Sequence, residues 1–377
     1  MRKIQMVDLV SQYEKIKPEV QVAINSVLDS AQFINGPEVH AFKDELADYL
    51  GVKHVIPCAN GTDALQIAMM ALGLKPGDEV ITPSYTYIAT TEVVGLLGLK
   101  PVFVDCEKDT FNISPKAIEA AITRNTKAIV PVHLYGQSCD MEAILKIAKK
   151  YDLKVIEDNA QAIGAEYTFS NGSVKKTGTI GDIGCTSFFP SKNLGCFGDG
   201  GAIFTNDDEL AERLTMVANH GQSKRYYHDI VGCNSRLDSL QAAVLRIKLR
   251  ELDNYVEARR KAADFYDKQF EAVKELTVPF RTKESTHVFH QYTLQLDSSI
   301  NRDDLVAYLG EHDVPAMIYY PVPAHKQKMF ATIETSSGNL ENTNWLTSRV
   351  FSLPMHTELD EEQLTHICTT IKNFIKK

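Results

Sequence analysis

A lysine at position 192 stands between two β-type runs, Cys185–Phe189 and Gly201–Thr205. The hydroxyls of Thr186, Ser187 and Ser191 precede it, and Gly195, Gly198, Gly200 and Gly201 follow. A lysine on a loop beside apolar strands loses hydration, which disfavours its charged form and frees the amine to attack carbonyls. Such a lysine forms a Schiff base, and the carbonyl compound that most often uses one is pyridoxal 5′-phosphate. That cofactor has three further needs: a carboxylate against its ring nitrogen, a cradle for its phosphate and a flat surface against its ring.

The chain offers a candidate for each. Val155–Gln161 reads as a strand ending in the carboxylates Glu157 and Asp158. Ligands of open α/β sheets sit at the carboxyl ends of strands. A protonated pyridine ring is an electron sink that needs an anion beside it, and Asp158 is the candidate. Gln161, three residues on, is placed to bond the ring hydroxyl. A strand-end aspartate taken alone also reads as an ordinary turn cap. His54–Leu72 reads as strand, tight turn and alanine-rich helix. Gly61 permits close backbone approach, Thr62 adds a hydroxyl, and the helix start adds free N–H groups and a positive dipole end, which together make a phosphate cradle. Neither G-x-x-x-x-G-K-[ST] nor G-x-G-x-x-G occurs. Thr82–Tyr87 follows a third strand, and an aromatic there stacks on a flat ring.

The elements that position these residues alternate. Strands are predicted at 54–59, 79–83, 101–105, 128–133, 154–158, 185–189 and 201–205, with helices between most of them, such as 62–72, 114–123 and 140–151. Val39, Phe42, Leu46, Tyr49 and Leu50 recur at helical spacing, and Thr205–Glu209 has the acidic, side-chain-capped look of a helix start. This alternation predicts an α/β fold with a mostly parallel sheet and helices on both faces. From Asp238 to Phe270 one long helical stretch ends the pattern. The domain boundary is placed inside it, giving a large domain over 1–245 and a small α+β domain over 246–377. Arg259–Lys261 reads as a solvated helix face.

Together these motifs resemble the DegT/StrS family of nucleotide-sugar aminotransferases, which have the fold-type-I, aspartate-aminotransferase-like architecture and use pyridoxal phosphate. The likeness runs nearly end to end, from Gln32–Glu38 through Tyr320–His325 to Leu353–His356, and N-G-T-D-A-L, E-D-x-A-Q, S-F-F-P-S-K-N-L-G and G-D-G-G all fall in family order. The resemblance implies that Lys192 carries the Schiff base, Asp158 meets the pyridine nitrogen and Gln161 the ring oxygen. It implies that Gly61, Thr62 and Ser187 hold the phosphate and that Tyr87 stacks on the ring. Asn234 looks like the asparagine that reaches the phosphate from a neighbouring subunit, so a homodimer with shared sites is implied. Arg236 is placed to meet a substrate carboxylate bidentately, Lys224–His228 to line the nucleotide diphosphate, and Tyr320 and His325 to line the sugar.

Within the family the chain is most similar to WbpE-type enzymes, which aminate C3 of UDP-2-acetamido-2-deoxy-3-oxo-glucuronate for bacterial surface polysaccharides. The contacts are His133–Asp140, Cys185–Asn206 and Asn219–His228, while Tyr319 departs from a histidine common at its place. The expected reaction takes an amino group from glutamate, leaving 2-oxoglutarate, and delivers it to the ketosugar nucleotide. Lys192 is expected to move the proton. Alternatives are a 3- or 4-keto-6-deoxyhexose nucleotide as acceptor, or a cofactor-binding regulatory protein without turnover. A sugar dehydratase of this family has histidine where Lys192 stands.

Composition sets limits. A chain of 377 residues exceeds one usual core, and its 44% hydrophobic and 24% charged content is that of a soluble globular protein. A net charge of −9 argues against nucleic acid or anionic membrane as partner, so an anionic substrate requires a locally basic pocket. The 7 cysteines are scattered without a C-x-x-C, which predicts reduced thiols, a cytoplasmic setting and no zinc site. No signal peptide is read, and no apolar run approaches the ~18 residues of a membrane span.

Overall fold

The computed structural model describes residues 1–376. Its strands are β1 His54–Cys58, β2 Glu79–Pro83, β3 Lys100–Val104, β4 Thr126–Ile129, β5 Lys154–Asp158, β6 Glu166–Thr168, β7 Val174–Lys176, β8 Ile183–Ser187, β9 Gly201–Thr205, β10 Gln222–Lys224, β11 Tyr227–His228, β12 Leu276–Thr277, β13 Tyr292–Leu296, β14 Ser336–Ser337 and β15 Val350–Leu353. Its helices are α1 Leu9–Ser30, α2 Pro37–Leu50, α3 Gly61–Ala71, α4 Ala89–Leu96, α5 Pro115–Ala121, α6 Met141–Tyr151, α7 Asp208–Ala218, α8 Ser239–Arg250, α9 Leu252–Phe270, α10 Arg302–Glu311, α11 Glu341–Arg349 and α12 Glu361–Ile375.

The central sheet has the order β1-β9-β8-β5-β4-β2-β3-β14. Pairing is parallel from β8 to β14 and antiparallel on both sides of β9. The sheet is therefore mostly parallel, as its strand–helix alternation predicts. β14 joins parallel to β3, Ser336 opposite Val102 and Ser337 opposite Phe103. Two apolar clusters flank the first strands: one joins α2 and α8 through Phe42, Leu46 and Leu245, and the other joins α3 and α7 through Ile67, Met69 and Leu214. A second core packs β13 and β15 against α9, α10 and α12, through Tyr266, Leu294, Leu309 and Ile367.

Local chemistry sets the joints. Asn60, Asp140, Asp207 and Asn301 each cap a helix through the side chain. Gly51 ends α2 with φ +65°, a left-handed turn that glycine adopts without penalty. The long stretch from 238 breaks at Glu251 into α8 and α9. Leu252 and Val256 of α9 pack on the core beneath the large sheet, while Ala262, Tyr266 and Phe270 pack on the other.

Arg259 corrects the sequence reading. It is buried, not solvated: its Nη1 donates to the carbonyls of Phe289 (3.1 Å), His290 (3.4 Å) and Met355 (2.9 Å). The helix turns this one position of the basic run inward, where the backbone of the second core supplies acceptors. Burial lowers its pKa to about 10. Arg260 is half-buried and donates to the His287 carbonyl at 3.0 Å, and Lys261 alone stays on the solvated face.

Candidate active site

The carboxyl ends of β1, β2, β5 and β8 meet at one edge of the sheet, and a cavity of about 720 Å³ opens there. Asn60–Asp63, Tyr87, Asp158, Gln161, Ser187 and Lys192 all line it. Segments far apart in the sequence thus converge as the alternating pattern requires.

Lys192 follows β8 and reaches into the cavity with no hydrogen-bond or ion-pair partner for its amine among the described residues. Loss of water contact lowers its pKa from 10.5 to about 8, and the Asp158 carboxylate pulls the other way. Asp158 closes β5 and is buried. Its Oδ2 accepts from the Thr90 hydroxyl at 2.7 Å and its Oδ1 from the Ala160 N–H at 3.2 Å. Gln161 is fixed at both ends: Oε1 accepts from the Tyr135 N–H at 2.7 Å, and Nε2 donates to the Tyr320 hydroxyl at 3.0 Å.

The α3 start faces the cavity. Asn60 accepts from the Asp63 N–H at 2.8 Å, which leaves the Gly61 and Thr62 N–H groups without a capping acceptor. Asp63 is held by the Ser235 hydroxyl at 2.6 Å. A Cβ on Gly61 would lie 2.7 Å from Ser187 Cβ, so only glycine lets the two segments approach this closely. Tyr87 is 55% exposed on the rim, 6.0 Å from the Tyr320 ring.

Other expected residues lie elsewhere. His325 is off the cavity wall, with Nδ1 2.7 Å from the Ser84 hydroxyl. Asn234 is exposed and Arg236 half-buried, and neither lines the cavity of its own chain. Lys224–His228 form the exposed β10–β11 hairpin, with the Lys224 amine 4.1 Å over the Tyr227 ring.

Sequence reasoning missed His290, Gln291 and Thr90. His290 and Gln291 line the cavity from the start of β13. Burial, helped by the nearby charges of Lys192 and Arg259, holds the His290 pKa well below its usual value, so the ring is neutral. The backbone of 287–291 is pinned from several sides: by Arg259 and Arg260, by Asn193 Nδ2 to the Val288 carbonyl at 2.9 Å, and by the Val288 N–H to the Gly136 carbonyl at 2.9 Å. The only signal in the sequence was a histidine and a glutamine directly before an apolar strand. Tyr319, the departure from the common histidine, also lines the cavity, and the Tyr85 hydroxyl donates to its carbonyl at 2.6 Å.

Comparison with known proteins agrees with this geometry. Residues 14–372 match the model of the DegT/DnrJ/EryC1/StrS aminotransferase family. The chain is 47% identical to a "pleiotropic regulatory protein" of Geobacillus stearothermophilus, covering 99% of each chain. It is 48% identical to the UDP-2-acetamido-2-deoxy-3-oxo-D-glucuronate aminotransferase of Pseudomonas aeruginosa, covering 98% of this chain and 100% of that one. It is 46% identical to the UDP-N-acetyl-3-dehydro-alpha-D-glucosamine 3-aminotransferase of Acidithiobacillus ferrooxidans, covering 98% and 97%. Among solved structures, a DegT/DnrJ/EryC1/StrS aminotransferase from Brucella abortus superposes with a TM-score of 0.94 at 40% identity, covering 99% of this chain and 100% of that one.

Proposed function

The chain belongs to the DegT/DnrJ/EryC1/StrS aminotransferase family and is a pyridoxal-phosphate-dependent transaminase, and we propose that it moves the amino group of glutamate to C3 of UDP-2-acetamido-2-deoxy-3-oxo-glucuronate. The observation that carries the substrate is the full-length 48% identity to an enzyme of that name. The neutral 3-keto-glucosamine nucleotide is the second reading, because a relative named for it is 46% identical.

The cavity fits the cofactor on its own geometry. A buried carboxylate, an unpartnered amine and two bare helix-start N–H groups face one space, and the Gly61–Ser187 approach shapes the phosphate end. Lys192 is proposed to attach the cofactor covalently. Gly61, Thr62 and Ser187 are proposed to hold its phosphate, Asp158 its ring nitrogen, Gln161 its ring oxygen and Tyr87 its ring face. When bound, the cofactor supplies the electron sink that makes the Cα–H bond of an amino acid acidic.

Lys192 takes the proton from Cα of the donor and, in the return half, delivers one to C3 of the sugar. An amine with a pKa near 8 does both at neutral pH. Asp158 sets its carboxylate against the ring nitrogen, oriented by the Thr90 hydroxyl and the Ala160 N–H. Tyr320 is held protonated by burial and offers a neutral hydroxyl toward the sugar.

We also propose a homodimer in which Asn234 and Arg236 serve the partner's site. The single-chain cavity supports this: it is lined by Asp63, Asp158 and Asp199, with Lys192 as the one lysine or arginine among its lining residues. A nucleotide diphosphate needs more positive charge than that. Arg236, which makes no ion pair among the described residues, is proposed to meet a substrate carboxylate. Tyr320 and His325 are kept as sugar-side residues, His325 acting through Ser84. The division into units of 1–245 and 246–377 is likewise proposed, with α9 bridging the two cores. In a cytoplasmic setting such an enzyme feeds surface polysaccharide synthesis.

The test charges the protein with amino groups from glutamate and adds a panel of UDP-linked 3-ketosugars, with and without a C6 carboxylate. Return of the aldehyde-form absorbance with the uronate supports the reading. Preference for the neutral sugar refutes the uronate. Failure to accept amino groups from glutamate or any other donor refutes turnover and favours a regulatory role.

A further inference from the structure

Thr90 sits in the first turn of α4, fully buried, and its hydroxyl donates to Asp158 Oδ2 at 2.7 Å. The Thr86 hydroxyl, in the loop before α4, lies 3.3 Å from the Thr90 hydroxyl, and Thr86 lines the cavity. With Thr90 donating to the carboxylate, its lone pair is left to accept from Thr86. The resulting chain, Thr86 to Thr90 to Asp158, polarises in one direction, and each bond strengthens the next. Among the described residues the Asp158 carboxylate has one other fixed donor, the Ala160 N–H at 3.2 Å. Thr90 therefore supplies the shorter of the two bonds that orient the carboxylate.

We propose that Thr90 is a positioning residue that holds the Asp158 carboxylate aimed at the cofactor's ring nitrogen, with Thr86 reinforcing it from the cavity wall. The proposal rests on the Asp158 role given above. A carboxylate opposite a protonated nitrogen works only while it is the weaker base of the pair. Without the Thr90 hydroxyl the carboxylate is no longer held against the ring nitrogen, which then loses its proton more readily. The other titratable groups facing Asp158 are Lys192 from the loop after β8, Cys185 on β8 and Tyr320 from the C-terminal segment. Burial keeps the thiol and the phenol protonated, so Lys192 is the only one of the three that changes charge near neutral pH.

The experiment uses the resting holoenzyme without substrate. Its visible absorbance is titrated with pH and follows the proton on the link between Lys192 and the cofactor. A positively charged ring opposes that proton, so loss of ring charge raises the midpoint. Thr90→Val keeps the shape and removes the hydroxyl. Its midpoint should rise by ~0.5–1.5 units, with kcat lower by roughly ten- to a hundredfold, the factor expected for one hydrogen bond to a charged group. Thr90→Ser should restore the wild-type midpoint, which a packing role would not predict. Thr86→Val should shift it less. Thr90→Ala serves in the same comparison if the valine variant does not fold. Asp158→Asn is the control. If it moves the midpoint and neither Thr90→Val nor Thr90→Ala does, the Thr90 proposal is overturned and the Asp158 role stands. If Asp158→Asn leaves the midpoint unchanged, both fail.

Discussion

The depressed basicity of Lys192 makes a quantitative prediction before any cofactor binds. With a pKa near 8 instead of 10.5, the amine at about pH 7.5 is free base in roughly one molecule in four, against about one in a thousand for an ordinary lysine. The gain is about 200-fold in nucleophilic amine. Trace acetylation of the cofactor-free protein across pH, read by peptide mass spectrometry, measures this directly. The Lys192 peptide should exceed surface-lysine peptides most at neutral pH, and its advantage should shrink as the surface amines lose their protons. The midpoint should lie near 8. Two opposed causes set that midpoint, dehydration downward and the Asp158 charge upward. Asp158→Asn should therefore move it further down while leaving the fold intact, since the change is nearly isosteric. A Lys192 midpoint near that of surface lysines, or an upward move in Asp158→Asn, would refute the reasoning.

Three further outcomes follow from the geometry. Gly61→Ala places a Cβ 2.7 Å from Ser187 Cβ, so one segment must shift; cofactor release on dialysis should accelerate at least about tenfold, with ~1–3 kcal/mol lost in denaturant titration. Lys248 is 2% exposed, pairs with no carboxylate among the described residues and donates only to the Gly195 carbonyl at 2.7 Å, and burial lowers its pKa from 10.5 to about 8. The unfolded lysine keeps its proton to 10.5 while the folded one releases it near 8, so stability relative to Lys248→Met should rise with pH across that window, by up to ~3 kcal/mol in paired urea titrations. Mixing Lys192→Ala with an Asn234→Ala, Arg236→Ala double variant should restore part of the activity in heterodimers; no recovery despite demonstrated subunit exchange would place the last two residues outside the partner's site.

Local sequence carried much of this architecture because the decisive signals were short-range. Asn60-Gly61-Thr62-Asp63 encodes a helix cap and the glycine of a close backbone approach within four residues, and Val155–Asp158 encodes a buried strand and its terminal carboxylate. Lys192 was legible from its glycines and hydroxyls. What failed was three-dimensional. Arg259 looks solvated in a run of three cations, and only the docking of β13 beneath α9 explains its burial. His290 and Gln291 reach the cavity because Asn193, Arg259 and Gly136 pin their segment from three elements, and no window of sequence contains that. Thr90 meets Asp158 across 68 residues, through the parallel packing of β2 and β5 on either side of β4. His325 has the motif of a site residue, and its contact with Ser84 at 2.7 Å spans 241 residues, which no local signal contains.

The short strand β14 bears on how the chain can be made. The sheet strands β1–β5, β8 and β9 all leave the ribosome before it, so the outer edge of β3 stays bare during synthesis. That edge carries the buried apolar pair Val102 and Phe103, the two residues that β14 later covers. An unpaired apolar strand edge is a template for other chains. Products cut off before Ser336 should therefore clump edge to edge even though every proposed cofactor-binding residue is already present. Two serines cover the apolar pair with a polar edge.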